Sequence, residues 1–355
     1  MRQNEPKGIF IADAFCISPQ RTYDGFFFEN GPAIHSGTRY MADEPAYGNL
    51  IPPGLLRRMG KAVRMGVGAG LPVINRNAKP DGIVLGTANG GLEDCLKFLN
   101  QIVDYEEGTL TPTNFVQSTP NAVAGSLALM SRNTGYNTTH VHQGLAFEAA
   151  LLDALLLLQG GQAKSLLLGS VEEISDYNYN IDALGGAFKV GENTSENLLF
   201  SDTPGTVCGE GATMFLVTAE KDEKSLAEIV DVDQITYADE DLLFQKLQFF
   251  LSKNKLKQAD IDAVILGYSG DNRTDGLYTH FQKALFPHAD RYTFKDLVGD
   301  YPTASAFATW LGLQAISGKH IVQHNTDRKK RPDHILIYNH YRGVQHAFIL
   351  MRAIR

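Results

Sequence analysis

Few of the side chains able to do chemistry stand at telling spacings in this sequence of 355 residues. The three cysteines, Cys16, Cys95 and Cys208, are odd in number and far apart, which suits neither a disulfide framework nor a Cys-rich zinc site. They read as reduced, small, buried thiols rather than as nucleophiles. Thr139-His140-Val141-His142 alternates like a strand, so both imidazoles share one face. That pair could ligate a metal or supply a base, or it could form a polar row at a subunit contact. No third ligand stands at a telling spacing. A Ser/His/Asp set could be assembled from scattered residues, but no G-x-S-x-G elbow accompanies it. The remaining landmark is Gln143-Gly144, a sharp turn between a polar strand and a strongly apolar helix.

The elements around that turn organise the chain. Residues 135–173 read as strand, turn, helix, a Gly160-Gly161 stop and a second apolar strand. A helix carrying Leu145, Ala146, Phe147, Ala149 to Leu152 and Leu155 to Leu158 leaves no face for water, so it should lie inside the protein. With about 14 residues, and with Glu148 and Asp153 within it, it is too short to span a bilayer. An ordinary core helix of any α/β protein would look the same.

Composition narrows the class. An apolar fraction of 43% and this length allow two core-forming halves. A net charge of −8 with no basic block argues against nucleic acid or an anionic membrane as the main partner. The first residues lack a cationic start, a long apolar run and a cleavage site, so a cytoplasmic protein without a signal peptide is expected.

The same plan occurs twice. Apolar runs at 8–12, 82–87 and 213–217 read as buried strands of the first half, with helices starting at Pro53, around Cys95 and at 121–127 between them. Residues 21–53 form a long irregular excursion. The charged run 219–224 is a candidate boundary, dividing the chain into 1–218 and 225–355. In the second half Val264-Ile265-Leu266-Gly267 echoes Ile83-Val84-Leu85-Gly86, the apolar helix 304–316 and strand 335–338 mirror 146–158 and 165–168, and 347–351 echoes 213–217. Continuous apolar strands alternating with helices imply sheets covered on both faces.

The order of landmarks resembles the β-ketoacyl synthase family. Asn137 takes the place of the asparagine in GxNYSISSACATSA, and Gly169-Ser170-Val171-Glu172-Glu173 is similar to GGGEE. Val207-Cys208-Gly209-Glu210-Gly211-Ala212 is similar to V-x-GEGA, 295–300 to KSMTGH, and Asn339-His340-Tyr341-Arg342-Gly343 to NSFGF. The resemblance implies an α/β thiolase-like fold of αβαβα layers built from two duplicated halves, and no cofactor.

The departures from those motifs carry the functional expectation. Counted from Asn137, the family's nucleophilic cysteine falls on Gly144, which has no side chain to attack a thioester. The two catalytic histidines fall on Tyr268 and Asp300; an ionised aspartate would repel a developing enolate, and only the tyrosine could donate to it. The lysine of the set is kept as Lys295, while its glutamate partner becomes Thr309. Gln143, His142, Phe147, Thr309 and Tyr341 are then expected to line the vestigial pocket. The resemblance implies a subunit that has lost condensing activity and works like a chain-length factor, with an acyl carrier protein and an active ketosynthase paralogue, or a second copy, as partners. Two alternatives stay open: a malonyl-thioester decarboxylase using Gln143, Tyr268 and Lys295, and a stand-alone acyl-binding module.

Overall fold

The duplication read from the sequence is visible strand by strand. The computed structural model describes residues 8–321 and 331–354. In the main sheet the first five strands in chain order are β1 (Ile9–Ile17), β2 (Gly82–Gly86), β3 (Tyr136–His140), β4 (Ser165–Glu172) and β5 (Gly211–Thr218). The next five are β6 (Ala227–Thr236), β7 (Ala263–Leu266), β8 (Asp290–Thr293), β9 (His334–Tyr341) and β10 (Gln345–Ala353). From the middle outward they run β1-β5-β4-β2-β3 on one side and β6-β10-β9-β7-β8 on the other. In each half the two inner pairings are antiparallel and the two outer ones parallel. A short antiparallel contact, Ile9 to Ile11 against Ile229 to Ala227, joins the halves into one sheet.

The helices of eight residues or more are α1 (Lys61–Arg76), α2 (Leu92–Asp104), α3 (Ala122–Ser131), α4 (Ala146–Gln159), α5 (Asp176–Leu184), α6 (Glu240–Lys253), α7 (Asp275–Leu285) and α8 (Ser305–Ile316). Alternation along the strands sorts them into layers. Val84, Leu166 and Phe215 of one half and Ile265, Ile337 and Ile349 of the other face a shared core with α4 and α8. Ile83, Leu85 and Leu167 turn the other way, onto α1 and α3. Val264, Leu336 and Leu350 turn onto α6 and α7. Five layers result, with α4 and α8 in the middle, as the resemblance implies. Among the described residues no helix is long and apolar enough to cross a membrane.

Three local expectations are corrected. Helix α4 does keep a face to water, because Leu152 and Leu156 are 38% and 61% exposed. The helix starting at Pro53 is a single turn, Pro53–Leu56, and α1 begins afresh at Lys61 after Gly60, whose N–H donates to Gln117 Oε1. The strand through His140 ends there, so His142 does not continue its face.

Candidate functional site

The middle layer places the turn before α4 against the hairpin between β9 and β10. Gln143 has φ +46, a left-handed backbone that side chains other than glycine's seldom adopt. Gly144 follows, buried, and its N–H donates to Gln345 Oε1 at 2.9 Å. Above it sits Tyr341. A Cβ built on Gly144 would lie 2.1 Å from Tyr341 Cβ and 2.5 Å from its Cγ, far inside van der Waals contact, so only glycine fits while Tyr341 keeps its place.

Two adjoining clefts share Tyr341. One, of about 400 Å³, is lined among others by Glu172, Cys208, Asp300, His340 and Tyr341 and by Tyr179 and Phe188. The other, of about 380 Å³, takes in Gln143, Tyr237 and Gln345. Tyr341, Arg342 and Asn89 border both. So Gln143, rather than Gly144, is the residue of the turn that meets open space.

Lys295 begins a single helical turn, Lys295–Val298, and is almost fully buried. Its ammonium donates to the His340 carbonyl at 3.1 Å and lies 2.9 Å from Asp300 Oδ1 as an ion pair. The lysine and the aspartate at a motif histidine position are therefore brought together. Tyr268 is not: its hydroxyl meets Thr279 at 3.1 Å and its ring lies 5.1 Å from Tyr278, among the outer-layer residues of the second half. Ser269, one residue on, is the one that lines the first cleft. Phe147 and Thr309 are also away from both clefts. Phe147 packs on Phe215 in the middle core, and Thr309 donates to the Ser305 carbonyl within α8. His142 is exposed and borders neither cleft. His140 pairs with Asp153 at 3.0 Å, and among the described residues no cluster of three metal-ligating side chains occurs.

The acidic motifs turn out to be braces. Glu172 accepts from Thr87 Oγ1 and from the N–H groups of Ala88 and Asn89; burial nevertheless pushes its carboxyl up to about 7. Glu210 accepts from the Ala42 and Ile174 N–H groups and pairs with Lys61. Of the thiols, Cys208 alone borders a described cleft. Burial, reinforced by Asp300, pushes it up to about 12, and burial pushes Cys16 up to about 11. Neither supplies a thiolate near neutrality.

Two residues that the motif comparison passed over matter here. Glu148 of α4 is wholly buried beside α8, and neither of its carboxyl oxygens has a well-aligned hydrogen bond. Burial pushes it up to about 7, opposed by Ser305 and by the more distant Lys295 charge. An acidic residue inside so apolar a helix was the available signal. His340 stands where NSFGF has serine, and its ring lies stacked on Tyr278, with centroids 4.5 Å apart and planes 10° apart.

Comparison with known proteins agrees with this architecture. Residues 35–184 match the family described as Beta-ketoacyl synthase, N-terminal domain. No curated protein matches the sequence. Among solved structures, a β-ketoacyl synthase from Burkholderia phymatum STM815 is similar over 98% of this chain and 100% of its own, at 16% identity and a TM-score of 0.79. A ketosynthase in complex with its chain length factor from Xenorhabdus doucetiae is similar over 100% of both, at 14% identity and a TM-score of 0.77. The AntDE:AntF complex, a type II PKS acyl-carrier protein with its ketosynthase bound to the hexaketide, is similar over 98% of this chain and 100% of its own, at 13% identity and a TM-score of 0.75. The fold is thus that of the ketosynthases.

Proposed function

We propose that this chain is a ketosynthase-like subunit that does not condense acyl units, and that it pairs with an active β-ketoacyl synthase in the manner of a chain length factor. One observation carries the reading. The space a nucleophile would need at Gly144 is taken by Tyr341, because an added Cβ would meet Tyr341 Cβ at 2.1 Å. The solved complex of a ketosynthase with its chain length factor supports the pairing, and the complex of a ketosynthase with an acyl-carrier protein supports a carrier-borne substrate for the pair. The product class would be a fatty acid, polyene or polyketide-type chain. The decarboxylase alternative is weaker, since Tyr268 and Lys295, two of its three donors, are engaged with Thr279 and with Asp300 and the His340 carbonyl.

The surface for pairing lies at β3, the edge strand of the first half. An unpaired edge needs cover, and apolar side chains surround this one. Tyr136 and Val141 are exposed at its two ends, Leu129 on α3 and Leu152 and Leu156 on α4. Co-expression with a neighbouring ketosynthase should give a complex of one copy of each by gel filtration with light scattering. Replacing Leu152 and Leu156 together by Lys should split it without unfolding either chain. A chain that stays monomeric both alone and with the ketosynthase would end this reading.

A further inference from the structure

The second cleft is polar yet offers no unpaired charge. Among the described residues Asp182 and Arg342 are the only charged side chains that border it, and they pair with each other at 2.6 Å. A charged ligand of either sign would have to break that pair to find a counter-ion. The other polar groups are mostly carboxamides. Asn89 comes from the turn after β2, Gln143 from the turn before α4 and Asn178 from the first turn of α5. Gln345 is engaged with the Gly144 N–H, whereas the side chains of these three make no hydrogen bond with any described residue. Each carboxamide presents an acceptor and a donor in one plane. Three of them, brought to one cleft of about 380 Å³ by separate segments, suit a neutral ligand with hydroxyl groups on several sides.

An aromatic ring stands in water at the same place. Tyr237, just past the end of β6, borders the cleft and is 84% exposed. Its backbone is left-handed, at φ +56, and its N–H donates to the Val344 carbonyl at 2.9 Å. Gln143 is left-handed as well, and so is Arg342, at φ +54, in the two-residue turn it forms with Gly343. Asparagine or glycine is the usual choice in such a turn. A left-handed backbone costs free energy in residues other than glycine, and residues held that way gather at functional sites. Three of the seven in the described chain border this one cleft. The apolar face of a tyrosine ring matches the C–H face of a pyranose, while the hydroxyls at the edge of the sugar call for donors and acceptors together. A hydrocarbon chain in the cleft would strip water from the carboxamides and give nothing back.

We propose that the second cleft is a binding site for a neutral sugar, with Tyr237 stacking on the ring and Asn89, Gln143 and Asn178 hydrogen-bonding its hydroxyls. This goes beyond the subunit reading and does not depend on it, since neither the blocked position at Gly144 nor the pairing surface takes part. The probes are the methyl glycosides of glucose, galactose and mannose, with glucuronic acid as a charged counterpart and pantetheine as a neutral amide chain. Saturation-transfer NMR on the purified protein should show at least one glycoside bound, with the strongest transfer to its ring C–H protons. Glucuronate and pantetheine should each bind at least about tenfold more weakly than that glycoside. Tyr237→Gly keeps a residue suited to the left-handed backbone and removes the ring; it should lose about tenfold in affinity. Gln143→Gly should lose about threefold to tenfold through the missing carboxamide. Tyr237→Trp should retain binding and report it by fluorescence. Both glycine replacements are at exposed positions, and a melting temperature no lower than the parent's confirms that they fold; the titrations of the unaltered protein stand without them. No transfer to any glycoside, glucuronate or pantetheine bound as tightly as the sugar, or an affinity unchanged in both glycine variants would overturn the proposal.

Discussion

Replacing Glu148 by Gln should make the protein more stable, and by an amount that depends on pH. The carboxyl is fully buried between α4 and α8, and burial raises it from the ordinary 4.5 to about 7. Below about pH 4.5 it is neutral whether the chain is folded or not, and it costs nothing. Between 4.5 and about 7 the unfolded chain has released a proton that the folded chain still holds, so stability falls as pH rises. Above about 7 both forms are ionised and the full cost of burying the charge is present. At about 1.4 kcal/mol per pH unit, that cost is about 3 kcal/mol. Gln keeps the shape and cannot ionise, and whatever it loses through an imperfectly bonded amide is the same at every pH. Glu172 and Glu173, also raised to about 7, remain in both proteins and cancel in the comparison. Melting temperatures at pH 5 and pH 8 should therefore diverge, with the variant gaining roughly 4 °C more at pH 8, on about 2.1 cal/mol/K per residue. A variant whose difference from the parent is the same at both values would refute the claim that Glu148 is buried as a high-pKa acid.

Gly144→Cys should fail to create an acyl-enzyme and should destabilise the fold by about 1–3 kcal/mol, the usual cost of overpacking, because its Cβ would collide with Tyr341; mass spectrometry after incubation with a long-chain acyl thioester, together with a urea titration, checks both parts. Cys208 should alkylate with iodoacetamide at pH 7.5 at least about tenfold more slowly than a free thiol, since a group raised to about 12 supplies almost no thiolate; labelling as fast as free cysteine would show that its burial has been misjudged.

The parts of the fold that were legible in the sequence are those where apolar periodicity is unmixed. β2 and β7 are buried at every position, so their runs could mean only covered strands, and the echo between them exposed the duplication. β6 and β8 escaped notice for the opposite reason. β6 reads AEIVDVDQIT, with Glu228, Asp231 and Asp233 among its apolar residues, and β8, DRYT, lies at the outer edge of its half. Charges there bond sideways, Arg352 to Glu228 and Lys253 to Asp231, an arrangement that no local pattern announces. The site divides in the same way. Motif order brought out Lys295, Asp300 and Tyr341, which do converge. Tyr268 lies two residues past the end of β7, in a loop whose side-chain directions no strand period fixes, so its neighbour Ser269 borders the cleft instead. His340 and Glu148 gain their character from burial by distant segments, which a one-dimensional reading does not contain.

Gly144 and Tyr341 are best understood as one feature in two pieces. Tyr341 ends β9, where it pairs with Gln345 across the hairpin, and Gln345 in turn accepts the Gly144 N–H. The tyrosine is therefore held by backbone pairing whose own side-chain brace is the glycine's amide, and the clash with an added Cβ is at Tyr341 Cβ, an atom that no rotamer change can move. A side chain at 144 would have to displace the end of a strand, not a flexible tip. On the proposed reading, regaining a nucleophile would then require a smaller residue at 341, a new contact for Gln345 and a cysteine at 144 together. The turn and the hairpin come from different halves of the duplicated fold, so the same packing that blocks the position also helps hold the two halves in register.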